Sequence, residues 1–212
     1  MALLEGELLA EARGIVARYP QGRERSAIMP LLYLVQSVDG MVTRDGLREV
    51  GELLGITTAE VEAVASFYAM YRLHPTGTHL VNVCTNLSCM LRGAREVYDV
   101  ALEAAGLARG QEVSDDGSFT VHEEECLGVC DFAPAVQVNV MNHDAVTPER
   151  MRELIERLRA GEVPAPSRGQ AFGSFRAACR ALAGLEPLAT STEEPRDPAL
   201  ITSSPVAEDV RS

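Results

Sequence analysis

The sequence predicts an α+β fold in three parts, and three patterns in its 212 residues support that prediction. Residues 1–75 repeat apolar positions at steps of three and four, which is typical of a bundle of small helices. Residues 76–160 mix helical stretches with short runs of period two, which indicates strands and helices sharing one sheet. Residues 161–212 hold six of the 11 prolines and form a C-terminal extension, predicted to be partly disordered.

The first part is predicted to be a helical bundle. Apolar residues recur at helical spacing through Leu3–Leu73, for example along Leu47–Leu54. Gly55 is predicted to end that helix. Thr57 followed three residues later by Glu60 matches a capping box, which predicts the start of the next helix.

The second part is predicted to contain five elements in the order β-α-β-β-α. A strand starts at His79 and ends at Cys84, and a helix follows over Leu91–Leu107. Alternating residues predict two more strands, over Phe119–His122 and Ala135–Val140. A last helix follows Thr147.

The end of this second part carries turn and capping signals. Asn142–Asp144 is predicted to be a turn after the third strand. Thr147 is predicted to be the N-cap of the last helix, with Pro148 at its first position and Glu149 in its first turn. The element order, with a hairpin and a final helix covering one sheet, fits a small α+β domain of the thioredoxin-like kind.

The C-terminal extension has one apolar stretch, Phe172–Leu185, which is predicted to dock as a single helix. The end of the chain, Thr190–Ser212, is rich in Ser, Thr, Pro and acidic residues and has little periodicity. We expect it to be disordered or draped over a partner.

Charge and composition exclude several classes of function. The formal net charge of −12 excludes the basic face that nucleic-acid binding needs. The chain has no Lys, which excludes a Schiff base and a Walker-type phosphate site. No apolar run is long enough to cross a membrane and the start lacks a secretory signal, so we expect a reducing cytosol. Clustered thiols there are metal ligands or redox groups rather than disulfides.

Four of the five cysteines form two close pairs, Cys84 with Cys89 and Cys126 with Cys130, and each pair lies in a loop next to a predicted strand. A [2Fe-2S] cluster needs two protein sulfurs on each iron, so this pattern favours a [2Fe-2S] site. Gly128 relieves crowding where backbone approaches the inorganic core. The start of the helix after Cys89 is expected to donate backbone amides to the anionic cluster.

Three other interpretations of the pairs remain open at this point. A four-cysteine structural zinc site is marginally compatible with the spacing of each pair. A dithiol redox site is weaker, because neither pair is Cys-x-x-Cys. Four buried unreactive cysteines would not explain why the pairs lie in polar loops.

The remaining cysteine and the isolated histidines are predicted to be bystanders. Cys179 is predicted to be a small buried residue. His74, His79 and His143 lie beside strands or in turns, so they are predicted to be surface or turn residues rather than ligands. A Rieske-type site would need histidine ligands, and sulfur already fills all four positions.

The residues around both pairs resemble a known family. The runs Val83–Ala94 (VCTNLSCMLRGA) and Glu125–Ala135 (ECLGVCDFAPA) are similar to the 24 kDa, or E-type, [2Fe-2S] subunit of NADH-quinone oxidoreductase, also called respiratory complex I. Both cysteine motifs match in full, and the resemblance covers about residues 5–160. It implies a thioredoxin-like [2Fe-2S] domain behind an N-terminal helical bundle, with Cys84, Cys89, Cys126 and Cys130 as the cluster ligands.

The resemblance also implies a function and partners. In this family the cluster exchanges one electron with the FMN of a neighbouring 51 kDa-type subunit, which also binds NADH and is called here the flavin subunit. The large iron-sulfur subunit is a further partner, and the complex lies on the cytoplasmic face of the membrane without insertion of this chain. The chain itself has no Gly-x-Gly-x-x-Gly after a strand, which agrees with binding of FMN and NADH by a partner.

Two alternatives to this function stay open. Homologous small subunits with the same motif belong to the diaphorase part of NAD-linked hydrogenases and formate dehydrogenases. A free-standing thioredoxin-like ferredoxin would need only the second part of the chain. The N-terminal helices therefore favour a subunit with a docking surface over a free carrier, although they are also compatible with a mere cap on the domain.

The charges near the second cysteine pair predict a low reduction potential. Glu123, Glu124, Glu125 and Asp131 flank that pair, with His122 as the only nearby cation candidate in the sequence. Negative charge near a cluster disfavours addition of an electron.

Overall fold

A computed structural model describes residues 3–187 of the chain. Within this range the chain forms two compact units, the first made of residues 3–75 with 179–187 and the second of residues 76–178. The predicted tail, Thr190–Ser212, lies outside the described residues. None of the helices in the described range has the length and apolar character needed to cross a membrane.

The first unit is helical, as its apolar spacing predicts. Its N-terminal part contains α1 (Gly6–Val16), α2 (Ile28–Asp39), α3 (Arg44–Leu54) and α4 (Thr58–Phe67). The capping box is confirmed: the Thr57 side chain accepts from the backbone N–H of Glu60, and the Glu60 carboxylate accepts from the backbone N–H of Thr57. Gly55 ends α3 with a left-handed φ of 66°, also as predicted.

Helix α2 supplies the centre of the first unit. Leu31, Leu32 and Leu34 are fully buried along it, and each contributes about 2 kcal/mol by its removal from water. The predicted helix in the C-terminal extension is also present as α8 (Phe175–Leu182), and the boundary between the two units lies within it.

The second unit is a mixed four-stranded sheet with helices, which confirms the α+β fold class. Its elements are β1 (His79–Cys84), α5 (Leu87–Leu91), α6 (Ala94–Ala105), β2 (Phe119–Glu124), β3 (Val136–Val138), β4 (Met141–His143) and α7 (Pro148–Arg159). The strand order is β2-β1-β3-β4. Strands β1 and β2 are parallel, whereas β3 is antiparallel to both β1 and β4.

The core of this unit forms between the sheet and the helices α6 and α7. Val81 and Val83 of β1 lie in one apolar cluster with Val97 of α6 and with Leu154 and Ile155 of α7. Helix α7 begins as predicted, because the side chain of its N-cap threonine accepts from a backbone N–H of the first turn and a proline occupies that turn. This packing fixes the ends of β1 and β2, where the cysteine loops begin.

The predicted helix over Leu91–Leu107 is wrong at its start. The structure has two helices there, α5 and α6, and the chain bends between them at Gly93, whose φ is 90°. Asn86 starts α5 by accepting from the backbone N–H of Leu87 at 2.6 Å. Cys89 therefore lies inside the short helix α5, and the long helix α6 starts after it at Ala94; donation of backbone amides at that helix start to a cluster stays a prediction.

The predicted strand over Ala135–Val140 is wrong at its end. Strand β3 stops at Val138, and Asn139 and Val140 turn with φ values of 49° and 67°. Asn139 is fully buried, and its side chain accepts from the backbone N–H of Leu80 and donates to the carbonyl of Phe172. These bonds hold a turn that a β-branched valine would not adopt alone.

Two further strand predictions also need correction. The segment predicted as a turn, Asn142–Asp144, instead supplies most of the edge strand β4, which ends at His143. Strand β2 continues to Glu124, two residues beyond its predicted end at His122. The sheet of the described residues therefore has four strands where three are predicted.

Candidate metal centre

The two cysteine loops leave the sheet at the same edge. Strands β1 and β2 run parallel as neighbours, and Cys84 at the end of β1 lies opposite Glu124 at the end of β2. Cys126 follows two residues later in the chain. Because the carboxyl ends of parallel strands meet at one edge of a sheet, the topology brings both predicted pairs together.

The first pair is buried. Cys84 and Cys89 are each 2% exposed, and their side chains contact each other through a hydrogen bond. Backbone bonds fix their positions: Cys84 N–H donates to the Ala135 carbonyl at 3.0 Å, and Ala135 N–H donates to the Cys89 sulfur. Small apolar residues, Ala94 among them, pack around the pair.

The second pair is exposed to solvent. Cys126 lies in the loop after β2, and Cys130 begins a short 3-10 helix. Their side chains form a hydrogen bond, and Ser88 of α5 also bonds to Cys130. Gly128 between them has a φ of 72°, so the loop curls back through a conformation that favours glycine, while the predicted relief of crowding at the cluster core stays a prediction.

The donor set fits a two-iron cluster better than a single ion. The four thiols lie as two contacting pairs, and Cys130 of the second pair interacts electrostatically with both Cys84 and Cys89 of the first. Yet among residues 3–187 no three Cys, His, Asp or Glu side chains converge closely enough to hold one metal ion. A structural zinc ion would need four ligands around one point, whereas a [2Fe-2S] cluster needs two thiolates at each of two irons.

Cys89 of the buried pair and Cys130 of the exposed pair resist ionisation when no metal is bound. Burial raises the pKa of Cys89 to about 11, and the neighbouring Cys84 thiol acts in the same direction. Hydrogen bonding with the Cys126 side chain and the charge of that thiol also raise the pKa of Cys130. Since a metal binds the thiolate form of cysteine, metal binding at this site releases protons from the thiols. The free energy of the metal–sulfur bonds drives that ionisation.

The charge environment is less negative than the sequence predicts. Glu123 accepts a hydrogen bond from Thr85 at 2.7 Å and forms an ion pair with Arg95 at 3.1 Å, and these contacts lower the pKa of its carboxyl. Arg168 interacts with Asp131 and lies over a neighbouring aromatic ring. The prediction that a histidine, His122, is the only nearby cation is therefore wrong.

Two of the three histidines do not occupy the surface or turn positions predicted for them. His79 and His143 are buried, with 8% and 2% of their surface exposed, and His74 is half-buried. His79 opens β1 and its Nδ1 lies 3.2 Å from the side-chain amide of Asn139. None of the three joins a group that could hold a metal ion within the part of the chain that the structure describes.

Cys179 is separate from the two pairs and is fully buried, as predicted. It belongs to the first unit, where the side-chain amide of Gln36 donates to its sulfur at 3.3 Å. Its surroundings are those of a small core residue.

Sequence reasoning missed three residues that shape the centre. Asn86 starts the helix that carries Cys89, Ser88 bonds to Cys130, and Arg95 neutralises an acidic neighbour of the pairs. Asn86 had a usable signal, because asparagine is a strong N-cap residue. Ser88 and Arg95 had none, since their contacts depend on how α5 and α6 lie against the second loop.

Comparisons with known proteins point to the same kind of centre. The family model for thioredoxin-like [2Fe-2S] ferredoxins matches residues 12–159. The NADH-quinone oxidoreductase E subunit of Mycobacterium tuberculosis is 46% identical over 178 residues, which cover 84% of this chain and 69% of that protein. NADH-quinone oxidoreductase subunit 2 of Thermus thermophilus is 44% identical over 147 residues, covering 69% of this chain and 81% of that protein.

A solved structure shows a related fold. An NAD+-reducing [NiFe]-hydrogenase in the H2-reduced state superimposes with a TM-score of 0.54 at 20% identity. The matched region covers 64% of this chain and 23% of the hydrogenase chain. At this identity the likeness concerns the fold alone.

Proposed function

The chain belongs to the thioredoxin-like [2Fe-2S] ferredoxin family, and it is related to the E subunits of NADH-quinone oxidoreductase; from this premise we propose that Cys84, Cys89, Cys126 and Cys130 hold a [2Fe-2S] cluster. Such a cluster, when bound, takes up and gives off a single electron. The observation that carries the proposal is the meeting of two thiol pairs at the shared end of β1 and β2.

The protein's own groups position the cluster and set its potential. Cys84 and Cys89 hold one side in a buried setting, and the exposed Cys126 and Cys130 hold the other. The backbone N–H of Ala135 that donates to Cys89 stabilises the thiolate and favours the reduced form. Electron transfer then requires a partner whose own redox group approaches the exposed side.

A partner surface lies next to the centre. Leu87, Met90 and Leu91 of α5 and Phe132 after Cys130 are between 49% and 78% exposed, and we call these four residues the cluster-side patch. Large exposed apolar side chains that cluster beside a functional centre mark interaction sites. Exposed carboxylates on both sides of the second cysteine pair flank the patch, so its partner presents apolar residues with a basic rim.

The proposed function is that of an electron-transfer subunit of proton-pumping NADH:quinone oxidoreductase. The partner at the cluster-side patch is the flavin subunit, which binds NADH and whose FMN exchanges one electron with the cluster. The large iron-sulfur subunit completes the module, which lies on the cytoplasmic face of the membrane. The sequence identity to NADH-quinone oxidoreductase subunits supports this function over that of a hydrogenase or formate dehydrogenase diaphorase, which rests on fold likeness alone.

The test is reduction by NADH through the partner. We expect the chain co-expressed with its flavin subunit to purify as a complex, and NADH to generate an S = 1/2 paramagnetic signal from the cluster. The chain alone should give that signal with dithionite and not with NADH. A chain that remains monomeric in the presence of the flavin subunit would instead indicate a free-standing ferredoxin, and hydrogen-dependent NAD reduction by the purified native complex would indicate the diaphorase.

A substitution in the cluster-side patch tests whether the flavin subunit binds there. We expect Leu91→Glu, which places a charge on the most exposed side chain of the patch, to weaken binding of the flavin subunit at least tenfold while the cluster spectrum stays unchanged. Leu182→Glu, on α8, is the matched control because that side chain is 43% exposed and lies outside the patch. Equal binding of both variants, measured by surface plasmon resonance, would show that the patch is not the partner site.

Two substitutions near the cysteine pairs are expected to shift the midpoint potential of the cluster in opposite directions. We expect Arg95→Gln to lower the midpoint potential of the cluster and Glu125→Gln to raise it, each on the order of tens of millivolts, because the reduced cluster carries one more negative charge. Arg48→Gln, in the first unit, should leave the midpoint unchanged. A redox titration followed by paramagnetic resonance measures all three, and shifts of the same sign for Arg95→Gln and Glu125→Gln would exclude this electrostatic account.

A further inference from the structure

A second patch of large apolar side chains lies on the first unit, where α4 ends. Phe67 is 79% exposed, and Tyr68 and Met70 are 37% and 39% exposed. We call these three residues the bundle patch. Together they expose about 300 Å² of side-chain surface, and an apolar patch of this size is often an interaction site.

The surrounding structure holds the bundle patch in place. The Tyr33 hydroxyl donates to the sulfur of Met70 at 2.6 Å, and the rings of Phe67 and Tyr68 lie edge to face with centres 5.0 Å apart. The fully buried Gln36 donates to the Met70 carbonyl at 3.1 Å. The patch is therefore a fixed surface, and a fixed surface loses little conformational entropy when an occupant binds to it.

The area of the bundle patch favours an occupant on the same chain. An occupant that covered the whole patch would bury about 600 Å² in total, whereas a stable contact between separate proteins buries about 1,200 Å² or more. A tethered segment needs less area, because its effective concentration at the patch is about millimolar. The small area therefore disfavours a second copy or a separate protein as the occupant.

The chain beyond the described residues contains a suitable segment. Residues 188–212, called here the terminal segment, hold one adjacent pair of large aliphatic residues, Leu200 and Ile201. The rest of the terminal segment is rich in Ser, Thr, Pro and acidic residues. Contact between the aliphatic pair and the bundle patch would remove apolar surface of both from water.

The point at which the terminal segment begins lets this pair reach the patch. The side-chain amide of Gln36 bonds both to the Met70 carbonyl and to the sulfur of Cys179 in α8. The described chain ends eight residues after Cys179, at Pro187. The lengths of these bonds and of that chain place Pro187 within about 35 Å of Met70. The 13 residues from Pro187 to Leu200 extend up to about 43 Å, which is enough to span the distance.

We propose that Leu200 and Ile201 dock on the bundle patch of their own chain and cover it. A protein that binds the bundle patch then has to displace the terminal segment first. The docking involves none of the paired cysteines, so it is independent of the proposed electron-transfer function.

The first test uses fluorescence of the whole cluster-loaded chain. Because the chain contains no Trp, Phe67→Trp supplies a single fluorescent probe on the patch. We expect acrylamide to quench this probe roughly threefold more strongly when Leu200→Asp and Ile201→Asp are added, because the cover is then lost. Val206→Asp with Val210→Asp is the matched control, since it adds the same charge to the terminal segment and should leave the probe shielded. Equal quenching with and without the Leu200 and Ile201 substitutions, or equal loss of shielding in both double variants, would overturn the proposal.

The second test identifies the occupant directly. The photoreactive residue p-benzoylphenylalanine replaces Phe67, the protein is irradiated, and mass spectrometry locates the cross-link. We expect a cross-link to residues 199–201 within one chain, with a yield that does not change on dilution. A product of twice the chain mass would assign the patch to a second copy, and a product formed only with the flavin subunit would assign it to that partner. Either product without the internal cross-link, or no cross-link at all, would overturn the proposal, and the cluster spectrum should be the same in every case.

Discussion

We expect Cys130→Ala to abolish the [2Fe-2S] chromophore and to lower the iron content from about two atoms per chain to near zero. The thiol of Cys130 is exposed and packs into no core, so its removal costs no buried apolar contact. What it removes is one of the two sulfurs proposed for one iron. An iron with an incomplete tetrahedron dissociates, and the whole cluster is lost with it.

The measurement combines iron analysis with visible absorption of anaerobically purified protein. Cys126→Ala should behave like Cys130→Ala, because these two exposed cysteines serve the same side of the centre. Cys179→Ala is the matched control, since that residue is buried in the first unit and bonds to Gln36. Full colour in Cys130→Ala, or colourless wild-type protein that carries one zinc per chain, would contradict the ligand assignment.

Cluster loss also has a stability consequence that separates the two pairs. A cluster that binds the folded chain and not the unfolded chain stabilises the fold by mass action. Each of the four variants that removes a proposed cluster ligand should therefore melt at a lower temperature than the cluster-loaded wild type. Cys84→Ala and Cys89→Ala should melt lower still, because they also leave small cavities among Ala94, Val129 and Ala133. The melting temperature of the cluster-free wild type shows how much of the decrease is due to loss of the cluster alone.

The arrangement of the centre follows from features that the sequence displays. The apolar run from His79 to Cys84 predicts a buried strand, and a second strand before Cys126 predicts that the second pair also follows the sheet. The parallel register that places Cys84 opposite Glu124 is consistent with a crossover through α6. Local patterns and one topological rule are therefore enough to bring the two loops together.

The errors in prediction share one physical cause, because contacts distant in sequence override local preferences. Val140 favours a strand, yet it turns, because the side chain of Asn139 bonds to Leu80 and Phe172 far along the chain. The residues at 142 and 143 favour a turn, yet they pair with β3 as an edge strand. No window of neighbouring residues contains this information.

The environment of the charged and ionisable residues also depends on contacts that are distant in sequence. Glu123 is part of an acidic run in the sequence, but it is bonded to Thr85, which follows β1, and to Arg95 of α6. The histidines are isolated polar residues in the sequence, but folding buries two of them. Burial of an ionisable group is a tertiary property, and it has a measurable consequence for stability.

Between pH 7 and pH 5 we expect the free energy of unfolding to fall by about 4 kcal/mol, half from His79 and half from His143. Burial lowers the pKa of each from its usual value of 6.5 to about 4. A lowered folded-state pKa means that the unfolded chain binds protons more readily. The stabilisation is therefore complete above about pH 6.5 and is lost as the pH falls toward 4.

His79 has a second reason to stay neutral. Its Nδ1 faces the side-chain amide of Asn139 at 3.2 Å, and that amide donates, so Nδ1 must accept. Protonation would turn Nδ1 into a donor and place two donors against each other in the core. The lowered carboxyl pKa values, such as that of Glu123, add their own acid sensitivity mainly below about pH 5, which leaves the window from pH 7 to 5 to the histidines.

The variant that tests this account is His79→Phe. A phenyl ring keeps the aromatic contact with Phe119, whose ring centre lies 5.5 Å from that of His79, and it carries no titratable nitrogen. We expect it to lose only about half as much stability as the wild type between pH 7 and 5. The measurement is urea unfolding of the cluster-free chain at both pH values, because release of a cluster on unfolding would add the protonation of its thiolate ligands, with His122→Phe at an exposed position of β2 as control. If His79→Phe lost as much stability as the control, burial of His79 would not be the source of the acid sensitivity.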